Sequence, residues 1–298
     1  VVHGSLWRTS QPLAAAASVT SPQPQPQARL LDPKWADLRL RVLSASVLAP
    51  IGLACIWFGG AAFVVLLALI AAGLAYEWLS LCRTRDPIAV ALFATLPLAV
   101  LLTVWRGPAA ALLLLALATI AAVARAGGLS RARPLAFGIP YLGLASIALA
   151  WLRQPPTSGG ANVIVLLLIV WASDIGAYVI GRAVGGPRLA PATSPGKTWS
   201  GAVGGLLAAA ATGFTASAIL GNGPVSWRAT GLAMLIGVIS QCGDLFESRL
   251  KRHFGVKDSG NIIPGHGGLL DRLDAVLTAA PATALLALIA GRGVILWQ

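Results

Sequence analysis

From residue 42 onward the chain is a succession of apolar runs, separated by short clusters rich in Arg, Gly, Pro and Ser. The runs fall at 42–58, 60–81, 87–104, 109–125, 134–152, 162–182, 200–220, 229–248 and 275–296. Each is close to the roughly 20 residues that a helix needs to cross the hydrocarbon core. Within them apolar residues are continuous rather than alternating, which excludes barrel strands and favours helices. The pattern predicts an all-α integral membrane protein, a polytopic bundle of about nine transmembrane helices. Only Gly59 and Gly60 separate the first two runs, so that boundary rests on two residues. Residues 1–36 form a leader rich in Pro, Gln and Ala, with SPQPQPQ near its end, and such a composition predicts disorder. Two further divisions follow: residues 37–160 carry about five membrane helices with few polar interruptions, and residues 161–298 carry about four, with the polar loops expected to do chemistry.

Composition agrees with a lipid solvent. The chain is 57% hydrophobic and 11% charged, with a mean hydropathy of +0.79, whereas soluble domains carry about 25% charged residues. The net charge of +12 would suggest nucleic acid in a soluble protein. Here its distribution records topology instead. With the N-terminus in the cytoplasm, all 22 Lys and Arg residues except Arg106, Arg153, Arg228 and Arg292 fall on the cytoplasmic side, as the positive-inside rule expects. Nucleic acid is therefore not an expected partner. The three cysteines, Cys55, Cys82 and Cys242, form no CxxC and predict neither a disulfide nor a zinc site. Trp35, Trp105, Trp151 and Trp297 stand near run ends and read as interfacial anchors.

Only ten residues are acidic. Asp32, Asp37 and Asp86 lie in the leader or a loop, but Glu77, Asp174, Asp244, Glu247, Asp271 and Asp274 lie in or against apolar runs. A carboxylate at the centre of a membrane helix costs about 2.5–3.5 kcal/mol on insertion scales, so such a group needs a partner or a polar cavity. Membrane-edge solvation is an equal reading for Glu77, beside Tyr76 and Trp78. Asp271 and Asp274 stand three apart and share one helix face. Asp244 lies in a polar stripe with Gln241 and Ser248. Carboxylates converging from two helices beside cations suit a divalent ion that also holds a polyphosphate. Mg²⁺ fits, because it takes few protein carboxylates and completes its shell with water and phosphate oxygens.

GHGG at 265–268 precedes the last run, where glycine backbone N–H groups at a helix start can face an anion. A tight turn explains the same residues. Lys251, Arg252 and Lys257 flank it, either as phosphate contacts or as ordinary cytoplasmic anchors. A second polar island, WASDIGAY at 171–178 with GRAVGGPRLAPATSPGKTWSG at 181–201, offers Asp174, Ser194, Lys197 and Thr198 as a phosphate clamp. SPGKT lacks the spacing and the strand context of a P-loop.

The segment SRLKRHFGVKDSGNIIPGHGGLLDRLD at 248–274 resembles the signature of CDP-diacylglycerol synthases, or phosphatidate cytidylyltransferases. Its matching positions are Ser248, Lys251, Arg252, Lys257, Asp258, His266, Gly267, Gly268, Asp271, Arg272 and Asp274. QCGDLFES, SDIGAY and SPGKTWSG extend the likeness to about residues 165–275, with Gly196 standing where many relatives carry Lys. The resemblance implies transfer of CMP from CTP to phosphatidic acid, giving CDP-diacylglycerol and pyrophosphate, with Mg²⁺ required. It also implies a homodimer in a bacterial-type inner membrane, with the active site on the cytoplasmic side. Asp244 and Asp271 would take the metal role, with Asp274 and Asp174 as further ligands or acceptors behind them. His266 would orient pyrophosphate or a metal-bound water. Ser194, Lys197, Thr198, Ser248, Lys251, Arg252, Lys257, Gly267, Gly268 and Arg272 would contact substrate or its phosphates. A secondary transporter, or an enzyme acting on a different lipid, would share the intramembrane acids.

Overall fold

In the computed structural model, residues 33–221, 223–263, 267–291 and 293–298 are described. They form ten helices and one two-stranded hairpin in the order α1 (Pro33–Phe58), α2 (Gly60–Leu81), α3 (Pro87–Phe93), α4 (Thr95–Arg106), α5 (Pro108–Arg125), α6 (Leu129–Arg153), α7 (Gly159–Val184), β1 (Arg188–Ala190), β2 (Ser194–Thr198), α8 (Trp199–Leu220), α9 (Trp227–His253) and α10 (Leu270–Ala290). Eight stretches of helix are long and apolar enough to cross a membrane, α3 and α4 counting together as Pro87–Arg106. The expected all-α polytopic membrane protein is the one observed. The apolar part of α1, Ser46–Phe58, is shorter than these eight. The expected disorder of the leader falls almost wholly on residues 1–32, outside the described residues, and α1 begins at Pro33.

The boundaries have local causes. Gly59 and Gly60 adopt φ of 66° and 56°, a left-handed turn that glycine tolerates, and this separates α1 from α2 as the sequence suggested. Arg153, at the end of α6, then caps α1: its Nε donates to Ile56 O at 2.5 Å and a terminal nitrogen donates to Trp57 O at 2.9 Å. These carbonyls lie in the last turn of α1, where no intrahelical donor remains. The run at 87–104 is broken at Ala94, because Pro97 in the first turn of α4 has no N–H to continue the ladder.

The last run departs from expectation. Its helix starts at Leu270, as the shared face of Asp271 and Asp274 requires, but stops at Ala290 rather than near residue 296, with Gly291 at φ 107°. The tail then turns back onto the start of α7. Asn162 donates from Nδ2 to Val294 O at 2.9 Å and accepts from Leu296 N at 3.0 Å. Trp297 is wholly buried by this return, so it is a core residue and not an interfacial anchor, whereas Trp105 is exposed as an anchor should be.

α7, α8 and α9 pack in series, and α10 inserts against α9 and α6. The α7–α8 approach depends on small residues: a Cβ at Gly204 would lie 2.5 Å from Ile180 Cβ and 3.0 Å from Gly176 O. The segment between these helices, expected as a loop, is an antiparallel hairpin with Arg188 opposite Thr198 and Ala190 opposite Ser194.

Candidate active site

Four elements bring the polar residues of the C-terminal half together. Asp174 projects from α7, Asp244 from α9 and Asp274 from the first turns of α10, while Lys197 reaches over from β2. The Lys197 ammonium donates to Asp244 Oδ2. Asp244 Oδ1 also faces Ser248 Oγ at 3.5 Å, one helical turn along. Asp174 and Asp274 both lie within electrostatic reach of Asp244 and of Lys197. Gln241 braces the floor, its Nε2 donating to Ser173 Oγ and to Ala202 O, each at 3.1 Å, so that α9 is tied to α7 and α8. Three carboxylates thus lie within electrostatic reach of one another and of the Lys197 ammonium, and their mutual repulsion favours positive charge nearby.

A cavity of about 860 Å³ opens onto this cluster. Asp174 and Asp244 stand in its wall with Lys197, Arg182, Arg188 and Tyr178. Asp174, although it lies within an apolar run, is exposed to this space. An acidic floor and a wall carrying three cationic side chains suit a ligand that combines a divalent ion with phosphates.

Asp271 belongs to a second cluster. Its Oδ1 accepts from Lys251 Nζ at 2.7 Å, and its Oδ2 accepts from Ser259 N at 2.9 Å and Gly268 N at 3.1 Å. Lys251 also stands 3.3 Å from Glu247 Oε1, one turn earlier on α9, and the Glu247 carboxylate is completely buried. The ammonium therefore bridges two acids. Both carboxylate oxygens of Asp271 are engaged by protein donors.

The sequence pattern of the Cytidylyltransferase family matches residues 39–290. This chain belongs to that family. Among its relatives, the phosphatidate cytidylyltransferase of Brucella suis biovar 1 (strain 1330) is 39% identical over 247 residues, 82% of this chain and 91% of the relative. That of Pseudomonas aeruginosa is 36% identical over 274 residues, 86% of this chain and 99% of the relative. That of Haemophilus influenzae is 43% identical over 148 residues, 48% of this chain and 51% of the relative. The chain is thus a multi-pass membrane enzyme of the nucleotidyl-transfer class, as the resemblance implied.

The remaining expected site residues of this cytidylyltransferase-family chain divide by position. Ser194 and Lys197 line the cavity, as does Thr198, whose Oγ1 also accepts from Gly201 N at 3.1 Å and caps α8. Arg252 and Lys257 are exposed, the former donating to Val256 O at 3.3 Å. Arg272 is exposed at the start of α10. Gly267 O accepts from Ile263 N at 3.0 Å, and Gly268 binds Asp271 through its N–H. His266 lies outside the described residues. Arg182, Arg188 and Tyr178 were not singled out as site residues by the sequence reading, although their place beside SPGKT was a signal. Glu77 and Glu247 were noticed only as acids in apolar runs, and nothing local revealed their partners.

Proposed function

We propose that this protein transfers CMP from CTP to phosphatidic acid, releasing pyrophosphate and forming CDP-diacylglycerol. The observation that carries the reading is the meeting of Asp174, Asp244 and Lys197 in the wall of the 860 Å³ cavity, with Asp274 within electrostatic reach of all three. Family membership supports it, as do relatives named phosphatidate cytidylyltransferase. In the reaction, a phosphate oxygen of phosphatidate forms a bond to the α-phosphorus of CTP. The bond from that phosphorus to the bridging oxygen of the β-phosphate breaks, and pyrophosphate leaves with the electron pair. Phosphatidate is ionised near neutral pH, so the site needs no strong base; positioning and charge neutralisation carry the catalysis.

The donor set fits Mg²⁺ in kind. Asp174, Asp244 and Asp274 are hard oxygen donors, but no group of three acid, His or Cys side chains among the described residues is already arranged around one point. An ion held there would share its shell with water and substrate phosphates, the usual habit of Mg²⁺. Its contribution would be charge neutralisation on the transferring and leaving phosphates. Lys197, Arg182 and Arg188 would orient those phosphates from the cavity wall, and Lys251 and Asp271 would hold the adjoining turn in place. We place this site at the cytoplasmic face, with the N-terminus on the same side, from the distribution of Lys and Arg. A homodimer belongs to the same proposal, and native mass spectrometry of detergent-solubilised protein tests it.

Purified protein given radiolabelled CTP, phosphatidate and Mg²⁺ tests the reaction itself. Label in the lipid phase as CDP-diacylglycerol is the expected result. No lipid-linked CMP with phosphatidate, or product only with another acceptor lipid, overturns the reading.

A further inference from the structure

We propose that Glu77, on α2 and outside the signature segment, is a positioning residue for the nucleotidyl transfer. It holds the turn carrying Ser259 and the first residues of α10, and thereby sets where Asp271 and Asp274 stand. The inference rests on the reaction proposed above.

Glu77 is only 1% exposed, yet its carboxylate is fully engaged. Leu269 N donates to Oε1 at 2.7 Å, Leu270 N donates to Oε2 at 2.8 Å, and Ser259 Oγ donates to Oε2 at 3.0 Å. Two of these donors are backbone N–H groups at the start of α10, which have no partner within the helix. The N-cap position of α10 is Leu269, which has no polar side chain to satisfy them. Glu77 supplies that cap from α2, far away in sequence, and its negative charge complements the positive end of the helix dipole. Insertion of a carboxylate into this apolar run is explained by that role.

The contacts meet those of Asp271 on one residue. Ser259 donates its hydroxyl to Glu77 and its backbone N–H to Asp271. Gly268 N–H goes to Asp271, and the next two N–H groups go to Glu77. The turn is gripped by one carboxylate from α2 and one from α10. Space around the grip is tight: a Cβ at Gly268 would lie 2.9 Å from Glu77 Oε2, and one at Gly260 would lie 3.0 Å from Oε1. Asp274 follows Asp271 on the same face of α10, so a shift at the helix start carries it away from Asp244 and Lys197. A 1 Å misplacement of a reacting or charge-stabilising group can cost about 100-fold in rate.

The test uses the full-length purified protein and four variants: Glu77→Gln, Glu77→Asp, Asp271→Asn and the Glu77→Gln/Asp271→Asn double variant. Leu74→Ala, which removes a buried side chain one turn away on α2, is the control for general destabilisation. Formation of CDP-diacylglycerol by the unmodified protein establishes the reaction independently of Glu77. For Glu77→Gln, kcat per folded molecule is expected to fall at least ~30-fold while the KM for CTP stays within ~3-fold, because Glu77 touches no substrate. Glu77→Asp, which keeps the charge, is expected to recover part of the loss. The double variant is expected to be little worse than the weaker single variant, since both acids hold the same turn. The proposal is overturned if folded Glu77→Gln keeps kcat within ~3-fold, if the two losses multiply, or if Leu74→Ala at equal thermal stability loses as much. Should Glu77→Gln fail to fold, the same cycle run with Glu77→Asp decides by coupling: losses that multiply with Asp271→Asn overturn the proposal, and a double variant little worse than the weaker single variant supports it.

Discussion

Lys197 on β2 donates to Asp244 on α9 across 47 positions of sequence, and this pair closes the acidic floor of the cavity. The ammonium sits where Asp174 and Asp274 also exert their fields. It therefore compensates repulsion among three carboxylates in the protein without ligand, and it stands in the cavity wall where an incoming phosphate would meet it.

Removing either partner should expose that double duty. Asp244→Asn is expected to lower turnover by at least ~100-fold, about 2.7 kcal/mol in the barrier. The response to Mg²⁺ should shift to higher concentration, because a hard anionic donor has been lost. Lys197→Met should chiefly raise the KM for CTP, since it removes a phosphate contact. Steady-state kinetics across Mg²⁺ and CTP titrations check both; near-wild-type turnover by folded Asp244→Asn would move the site elsewhere.

Asp271 and Asp274, three residues apart, should fail differently. Asp271→Asn removes the charge and turns one of the two oxygens that accept from Lys251, Ser259 N and Gly268 N into an NH2 donor, so reduced thermal stability should accompany its lost turnover. Extra Mg²⁺ should not restore it. Asp274→Asn should leave the melting temperature nearly unchanged and still lose activity, with a displaced Mg²⁺ titration. Thermal unfolding in detergent beside a turnover assay distinguishes the two, and identical behaviour would refute the division of roles.

The topology proposed from the charge distribution puts residues 257–260 in the cytoplasm. Ser259 is a poor position for a reporter thiol, because it is buried between Glu77 and Asp271, but Asp258 is exposed. With the native cysteines replaced, Asp258→Cys in sealed spheroplasts should resist an impermeant maleimide until the membrane is opened. Rapid labelling from outside would invert the topology.

Thiol reactivity in the unmodified protein supplies a further check. Burial pushes the Cys82 thiol, just beyond the end of α2, up to about 12. Little thiolate forms there at pH 7–9, and the thiolate is the reactive species. Cys82 should therefore modify slowly in detergent across that range, as read by peptide mass spectrometry, with its rate rising only at more alkaline pH.

Arg153 gives a contrasting structural case. Arg153→Leu removes two hydrogen bonds to the end of α1 and should cost about 1–3 kcal/mol in stability. Turnover per folded molecule should remain unchanged, since α1 and the end of α6 do not contribute to the cavity wall. A melting curve and an activity assay on the same preparation test this.

The sequence by itself determined the solvent, the helical class and the neighbourhood of the chemistry. Continuous apolar runs leave the backbone only one way to satisfy its hydrogen bonds in lipid, so α5, α7 and α8 could be read almost to their ends. Acids are costly in such runs, and that cost singled out Asp174, Asp244, Asp271 and Asp274 before any contact was known. Which acids share a cluster depended on helix packing, which the one-dimensional pattern does not encode. Tertiary structure set Asp174, Asp244 and Lys197 around one cavity, brought Asp274 within electrostatic reach of them, and committed Asp271 to Lys251 and two backbone N–H groups. It also turned SPGKT into a strand, buried Trp297 under the returning tail, and gave Glu77 its partners at the start of α10. Each of these is a contact between distant segments. Local periodicity reports only which face of an element avoids water or lipid, whereas the identity of the group opposite is fixed when the helices pack.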